Sequence, residues 1–236
     1  MNFSAMNLRA CFFQKQTPEF KVSFLQNTLS GQKYAVINAF KNFSAREAVI
    51  PDRLFGVPVI YIDRFSFTSR AVEKVVIPET VIGIGSEAFS GCRNLKEINI
   101  PSSVSEIGMR CFKGCSSLPF VSLPPKVNII EIETFKDCSS LSNLRFYNSI
   151  TDIGIRAFEN CVSLTAFTLP LKLTNIGISA FSGCKNLKKV VIPQGVKSLG
   201  MFEFSNCSSL TEVIISPSTK VAPNAFSGTP VYKNYG

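Results

Sequence analysis

The stretch EAFSGCRNLKEINIP, residues 87–101, decides the fold because it recurs along the chain. A near copy, RCFKGCSSLPFVSLP, begins 23 residues later at Arg110, and TFKDCSSLSNLRFY begins at Thr134. A fixed spacing of about 20–29 residues between apolar positions is typical of a solenoid of the leucine-rich kind, in which each repeat forms one coil. A coil of this size cannot bury its own apolar side, so the repeats are expected to stack.

Three residue types keep the 23-residue step through six successive repeats. The columns are Phe89, Phe112, Phe135, Phe158, Phe181 and Phe204; Cys92, Cys115, Cys138, Cys161, Cys184 and Cys207; and Leu95, Leu118, Leu141, Leu164, Leu187 and Leu210. A proline follows the same step with Tyr147 as its one replacement, and incomplete copies lie at Phe67 and Phe226. Stacking therefore places like on like inside the solenoid.

One repeat can be divided into a strand, a turn and a return to the core. Residues 95–101 alternate apolar and polar side chains and end at Pro101, which cannot donate to a strand ladder. Gly108 permits a turn, and residues 86–89, with Ser86 as cap, predict a single helical turn. We therefore predict a right-handed, β-rich coil or horseshoe of about seven coils, with a parallel sheet along one face and helical turns opposite.

Two repeats depart from this pattern. Glu131 stands where the other repeats have a glycine, and Cys111 and Glu203 stand where others have alanine. These departures predict either local distortion in the third and sixth coils or a glycine position that does not require a positive φ.

The domain boundaries follow from the limits of the repeat. We expect a flexible or appended segment at 1–18, a β-hairpin cap at 19–49, the solenoid at 50–228 and a C-terminal cap or tail at 229–236. A solenoid exposes apolar ends and needs such caps.

Composition excludes several classes of function. The 236 residues carry a net charge of +9, but the positive charges are dispersed, which argues against nucleic-acid binding. No apolar run is long enough to predict a membrane span, and no signal peptide is evident. Histidine is absent, so the commonest general base and metal ligand is missing. We predict neither enzymatic activity nor a cofactor or metal; the alternative is a polar pocket holding several of Glu131, Glu133, Lys126 and Lys172.

The cysteine column invites a metal or disulfide interpretation. Stacked side chains point in parallel, which does not suit the torsion of a disulfide, and the spacing of metal ligands is absent. We predict reduced, buried thiols that act as small apolar residues. Cys11 is the cysteine expected to be exposed.

The repeat IPETVIGIGSEAFSGCRNLKEINIP resembles the unit of BspA-like, or Treponema pallidum-type, leucine-rich repeat proteins. The resemblance extends from residue 50 to about residue 228. It implies a surface or secreted protein linked to adhesion or host-protein binding, and it brings no catalytic residues.

The outward positions of the strands are the candidate site. They vary from coil to coil, and an aromatic residue beside an arginine is typical of a binding hot spot. The candidate protein-binding residues are Lys74, Glu97, Asn99, Phe120, Asn143, Arg145, Lys189, Val191 and Glu212. We expect a protein partner and a monomer rather than an oligomer; the alternative function is a structural scaffold whose coils stack end to end.

Overall fold

A computed structural model describes Met6, residues 8–166 and residues 168–234, with the backbone alone at residues 11–13. The prediction for Cys11 therefore lies outside the described side chains. The strands are β1 (Leu8–Gln16), β2 (Phe20–Asn27), β3 (Lys33–Phe40), β4 (Glu47–Val49), β5 (Arg53–Leu54), β6 (Val57–Ile62), β7 (Lys74–Val76), β8 (Gly83–Ile84), β9 (Glu97–Ile98), β10 (Glu106–Ile107), β11 (Phe120–Ser122), β12 (Ile129–Ile130), β13 (Asn143–Arg145), β14 (Asp152–Ile153), β15 (Asn175–Ile176), β16 (Lys189–Val191), β17 (Ser198–Leu199), β18 (Glu212–Ile214) and β19 (Lys220–Val221), and a 3₁₀ helix spans Tyr232–Asn234.

The chain winds into a β-solenoid in which most coils carry two short strands; the coil of Ala166 has a single bridge to Lys189 in place of the first strand. The outer surface of β4, β7, β9, β11, β13, β16 and β18, with the loops that follow them, is called the strand face. The second sheet consists of β6, β8, β10, β12, β14, β15, β17 and β19. Neighbouring strands of both are parallel, and partners stand one repeat apart, as in Phe120 with Asn143 and Asp152 with Asn175.

The stacked columns predicted from the repeat are confirmed. The eight ladder phenylalanines from Phe67 to Phe226 are at most 1% exposed, one for each of about eight coils. Phe135 and Phe158 stack with ring centroids 5.4 Å apart and planes 9° from parallel. Such offset ring contacts add to the burial of large apolar surfaces. The core is therefore one continuous column along the solenoid axis.

The predicted helical turn is wrong. The segments from the glycine position to the cysteine, residues 108–115 and their equivalents, form the turn edge. There, the residues two before and two after the ladder phenylalanine have positive φ, as at Arg110 (56°) and Gly114 (71°), except that Asn224 before Phe226 does not. Alternate N–H groups point at the next coil: Phe112 donates to the Thr134 carbonyl at 2.9 Å and Gly114 donates to the Lys136 carbonyl at 2.7 Å. The N–H groups between them donate three residues back within their own coil, so no α-helical bonds form.

The cysteines are buried and unbridged, as predicted, across the seven that the structure describes. Each of the six in-step thiols also donates a hydrogen bond to the ladder phenylalanine carbonyl of the preceding coil, for example Cys161 Sγ to Phe135 O at 3.1 Å. Burial raises the pKa of Cys138 to about 12, so this thiol is protonated at neutral pH. The column therefore contributes polar bonds between coils as well as apolar volume.

The N-terminal strands continue the second sheet rather than standing apart from it. β2 and β3 are antiparallel, and β3 pairs with β6 in parallel. Phe40 of β3 stacks on Phe67 with ring centroids 5.0 Å apart, which covers the start of the column. β1 lies antiparallel to β2, so residues 8–16 of the predicted flexible or appended segment form a strand. β4 already belongs to the first coil, because it pairs with β7. At the other end, Val231 is buried.

The irregular coils interrupt the second sheet at the two predicted positions. Among the described residues, no strand pairing joins β10 to β12 or β15 to β17. Glu131 occupies the glycine position just after β12. At Gly154, a Cβ would lie 2.7 Å from the backbone of the preceding coil. The glycine at this position therefore allows close approach of coils, without a positive φ.

The second interruption has a different cause. The N–H of Gly177 donates to Ile153 O in the coil before it, at 2.8 Å. The equivalent N–H of Gly200 donates instead to the Glu203 carboxylate Oε1, at 2.7 Å. Glu203 is buried, and its other oxygen, Oε2, has no hydrogen-bond partner. A side chain bonded within its own coil thus replaces a bond between coils.

Candidate functional site

All nine predicted site residues lie on the strand face, at the outward positions of its strands or directly beside them. Buried side chains such as Val121 and Leu144 alternate with them and anchor the strands in the core. Phe120 remains 47% exposed and Val191 40% exposed, which is high for large apolar side chains. The alternation read from the sequence therefore placed the surface correctly.

Near both ends of the strand face, the charged candidates pair with one another. Lys74 Nζ lies 3.6 Å from a Glu47 carboxylate oxygen and 3.8 Å from one of Glu97. Lys189 Nζ lies 2.6 Å from Glu212 Oε1. Exposed pairs of this kind contribute about 0–1 kcal/mol to stability. They nevertheless neutralise the charge that a partner would meet at these coils.

Asn99 is also occupied. Its Oδ1 accepts from the Ile77 N–H at 2.8 Å and its Nδ2 donates to the Ile77 carbonyl at 2.7 Å. The side chain thus continues the hydrogen bonding of the sheet beyond the end of β9. Its role in the structure is to fasten two coils, and both of its polar atoms are used.

At the central coils, Arg145 of the strand face is not engaged in an ion pair. Phe120 stands opposite Asn143 in the parallel register, and Ser122 stands opposite Arg145. Arg145 is therefore the diagonal neighbour of Phe120 on the adjacent strand. Arg145 is exposed, and among the described residues no carboxylate lies within ion-pair distance of its guanidinium. This centre has an exposed aromatic residue and an unpaired arginine on neighbouring strands.

Pro119 explains why the sheet is interrupted beside this centre. In most other coils the equivalent residue donates its N–H to the coil before it, as Lys96 does to Glu73 O at 2.8 Å. Proline has no N–H, and no pairing joins β9 to β11 among the described residues. Phe120 follows directly, at the start of β11. The centre therefore begins where the hydrogen-bonded sheet starts again.

Four exposed side chains in the loops of the strand face were not among the predicted protein-binding residues. Tyr147 is 40% exposed and Leu171 is 75% exposed. Lys126 and Lys172 are exposed in equivalent loops two coils apart. Tyr147 stands in the column otherwise held by proline, and that substitution was the signal available in the sequence. These four side chains extend the strand face along one rim.

The residues of the alternative catalytic pocket do not come together. Lys126 and Lys172 lie in loops of the strand face, whereas Glu133 lies on the turn edge. There Glu133 Oε2 accepts hydrogen bonds from Lys113 Nζ at 2.7 Å and from Arg110 Nε at 3.0 Å. Burial raises the pKa of the Glu133 carboxyl, but the hydrogen bonds and charges of Lys113 and Arg110 outweigh it and hold the pKa below its ordinary value.

These contacts belong to a ladder of alternating charge that crosses the coils. Arg110 also lies 3.6 Å from Glu87, and Arg156 lies 3.9 Å from Glu133. Lys136 pairs with Glu159 beside them. The charges of the turn edge are thus used within the molecule, unlike Arg145.

In the described part of the chain, no group of three or more cysteine or acidic side chains is arranged to hold a metal ion. No helix in the described ranges has the length and apolar character needed to cross a bilayer.

Comparison with known proteins identifies the repeat. The family model for the BspA type leucine-rich repeat region, in six copies, matches residues 60–170 and 105–233. A leucine-rich repeat protein of T. pallidum is similar in structure, with a TM-score of 0.58, 27% identity, and coverage of 88% of this chain and 85% of that one.

A leucine-rich cell surface protein of Faecalibacterium prausnitzii has a TM-score of 0.62 and 22% identity, with 92% and 80% covered, which supports the fold. Comparison with curated proteins gives no match. Because the overlapping repeat matches span most of the chain, this protein belongs to the BspA-type leucine-rich repeat family.

Proposed function

We propose that this protein is a non-catalytic binding module that engages another protein through the strand face. Phe120, Asn143 and Arg145 form the centre of the proposed interface, with Tyr147 and Leu171 at its rim. Large aromatic residues and arginines commonly dominate the binding energy of protein interfaces. Extended solenoid surfaces are well suited to recognition because their coils hold such residues in fixed positions. Adhesion or binding of a host protein is the form of this function that the family resemblance suggests.

One observation carries the proposal. Near the ends of the strand face, lysines and glutamates pair with each other, whereas Arg145 at the centre has no acidic partner among the described residues and lies beside an exposed phenylalanine. An arginine that gains a charged hydrogen-bonding partner on binding contributes more than one that must first give up a partner. The centre is therefore the part of the face where a partner gains most.

End-to-end stacking of coils is the second candidate, and the burial of the column ends argues against it. Phe20 and Phe40 cover the first coil, and Val231 is buried beside the last. Stacking between chains would need an uncovered column of apolar rungs at one end at least. Light scattering over a range of concentrations tests this candidate, and growth of the particle with concentration would support it.

The binding proposal is tested by capture of host or matrix proteins on immobilised protein. The test variant combines Phe120→Ala with Arg145→Ala. The matched control combines Leu29→Ala with Lys33→Ala, an exposed apolar and an exposed basic residue of the cap. We expect the test variant to lose at least about tenfold in affinity for any captured protein, and the control to keep it. Equal binding by both variants would place the interface elsewhere.

A further inference from the structure

Four successive coils, from the centre of the strand face toward its C-terminal end, separate charge by side. The segments that contain their strand-face strands and the residues on either side, 115–127, 138–150, 161–173 and 184–196, hold six basic residues and no acidic residue. The basic residues are Lys126, Arg145, Lys172, Lys185, Lys188 and Lys189. The three intervening segments, 128–137, 151–160 and 174–183, hold five acidic and two basic residues, and the acidic ones include Glu133 and Glu159 of the turn-edge ladder. The segments that contain the strands of the strand face are thus positive, whereas the rest of the same coils carries a net negative charge.

These positive charges are exposed and mostly unpaired. Lys126, Lys172, Lys185 and Lys188 are exposed, and none of them has a carboxylate within ion-pair distance in the described part of the chain. Lys185 lies at the turn-edge end of its segment, where it lines a groove with Glu159 and Asn160. Lys189 is the exception because it pairs with Glu212. Like charges spread over four coils, at about 4.8 Å a coil, produce a positive potential that a negatively charged partner relieves.

Apolar side chains lie among the charges. Phe120, Tyr147, Leu171 and Val191 are each at least 40% exposed on this same surface. A purely polyanionic ligand, such as a sulfated polysaccharide, has no apolar groups that would pack against these side chains. A polypeptide that carries both acidic and apolar side chains would bury the apolar groups and pair with the lysines and Arg145 together.

We infer that the strand face over these four coils binds an acidic polypeptide segment with interspersed apolar residues, with Arg145 and Lys172 pairing with carboxylates while Phe120 and Leu171 contact apolar side chains. This inference rests on the proposed function, since it names the chemistry of the partner at that same face. An extended segment of about four to six residues spans four coils, given about 4.8 Å for each coil and about 3.3 Å for each residue.

The test uses a fluorescein-labelled eight-residue peptide that alternates aspartate with leucine, and fluorescence anisotropy with the full chain. Octa-aspartate, dextran sulfate and a peptide alternating lysine with leucine are the comparison ligands. At about 50 mM NaCl we expect the aspartate–leucine peptide to bind, the lysine–leucine peptide not to bind, and about 300 mM NaCl to weaken binding several-fold.

Two variants with equal change in charge separate position from net charge. The double variant Arg145→Glu with Lys172→Glu should lower the affinity for the aspartate–leucine peptide by at least about tenfold. The control variant Lys33→Glu with Lys220→Glu, on the cap and the second sheet, should change this affinity by less than about twofold. Phe120→Ala should lower the affinity for the aspartate–leucine peptide about threefold or more and leave the affinity for octa-aspartate unchanged. Circular dichroism melting of each variant verifies that it is folded.

The outcomes also separate this inference from the proposed function. If the binding of captured proteins requires Phe120 and Arg145 but the aspartate–leucine peptide does not bind, the inference of an acidic segment fails and the proposed function is supported. If dextran sulfate binds as well as the peptide and Phe120→Ala changes neither, the face is a general anion surface and the inference fails. If the control charge reversals weaken binding as much as the test pair, net charge alone explains it, and the inference fails.

Discussion

The turn edge and the strand face are built from the same repeat but use their side chains in opposite ways. On the turn edge, the charges of Glu87, Arg110, Glu133 and Arg156 alternate from coil to coil and pair with each other. Hydrogen bonds between coils and the thiol ladder lie beside them. At the centre of the strand face, by contrast, Arg145 and its neighbours find no acidic partner among the described residues. The charges of the turn edge join adjacent coils, whereas those at the centre of the strand face stay unpaired and are the ones proposed to meet a partner.

Within one coil, the positions that stabilise the stack are therefore different from the positions proposed to bind a partner. Positions that face the column accept few residue types, because each side chain must fit between the coil above and the coil below. Most outward positions of the strand face are exposed and can vary without disturbing the column, although Asn99 also bonds the preceding coil. Substitutions on the two sides should accordingly differ in what they damage, stability on one and binding on the other.

The largest expected effect comes from removing one rung of the phenylalanine column. Phe158→Ala deletes a fully buried ring that stacks on Phe135 and Phe181. The lost burial and the cavity should lower the free energy of unfolding by about 3–5 kcal/mol, measured by urea denaturation. Phe120→Ala, on the strand face, should change it by less than about 0.5 kcal/mol. Comparable losses for both would show that the strand face also carries the stack.

Glu203 should make stability depend on pH, because it is a buried carboxyl on the column side of the turn edge. Burial raises its pKa to about 8, against a smaller opposite effect of the Gly200 N–H. In the unfolded chain its pKa is the ordinary 4.5. Between these values the folded state binds a proton that the unfolded state does not. The free energy of unfolding should therefore fall as pH rises from about 5 to 8, by up to about 1.4 kcal/mol for each pH unit.

The matched variants for this prediction are Glu203→Gln and Glu203→Ala. Both remove the titration, and the alanine also restores the residue type found at Ala157 and Ala180. Thermal melting at pH 5 and pH 8 should show a smaller drop in both variants than in the native chain. An unchanged pH dependence would show that Glu203 reaches water in the folded protein.

Close approach of the coils can be tested at two glycines that share a position in the repeat. A Cβ at Gly154 would lie 2.7 Å from backbone atoms of the preceding coil, whereas a Cβ at Gly200 would meet only the Glu203 carboxylate, at 3.3 Å. Neither glycine has a positive φ, so alanine changes packing rather than backbone strain. Gly154→Ala should cost about 1–3 kcal/mol and Gly200→Ala less than about 1 kcal/mol in urea denaturation. Equal costs would mean that the second interruption of the sheet leaves no extra room.

Much of the fold followed from the 23-residue step alone. The step set the phenylalanine and cysteine columns, and alternation within the strands set which residues face outward. The departures at Glu131 and Glu203 predicted local distortion in the third and sixth coils or a glycine position without a positive φ, and the structure has both an interrupted second sheet there and glycines without a positive φ. Each of these features is determined by contacts within one repeat or between repeats at the known spacing, so it can be predicted from the sequence.

The helical turn was wrong because its local signals were outweighed by contacts 22 residues away. Ser86 resembles a helix cap, yet the Phe89 N–H donates to Cys111 of the next coil at 2.9 Å instead of within its own turn. The charge ladder was missed although Glu87 and Arg110 already alternate in sign at the repeat spacing. On the strand face, Lys74 forms ion pairs and Arg145 forms none among the described residues. This difference depends on side-chain conformations, which the repeat spacing does not specify.

The smallest expected effect compares two ion pairs, one on each side of the coil. Glu133 is 9% exposed and accepts from Lys113 and Arg110, whereas Glu212 is 53% exposed and pairs with Lys189. Glu133→Gln should lower the free energy of unfolding by about 1–2 kcal/mol, since hydrogen bonds to charged groups in a partly buried site are lost. Glu212→Gln should change it by less than about 0.5 kcal/mol.

The pH dependence of the Glu133 variant provides a second measurement. Because the folded pKa of Glu133 lies below 4.5, its contribution is complete above pH 4.5 and is lost as pH falls through the folded value. The difference between native chain and Glu133→Gln should therefore be full at pH 7 and shrink toward pH 3 in urea denaturation. A difference that stays constant over this range would assign the loss to packing rather than charge. If Glu212→Gln costs as much as Glu133→Gln, the strand face holds the coils together as the turn edge does, and the division of roles between them fails.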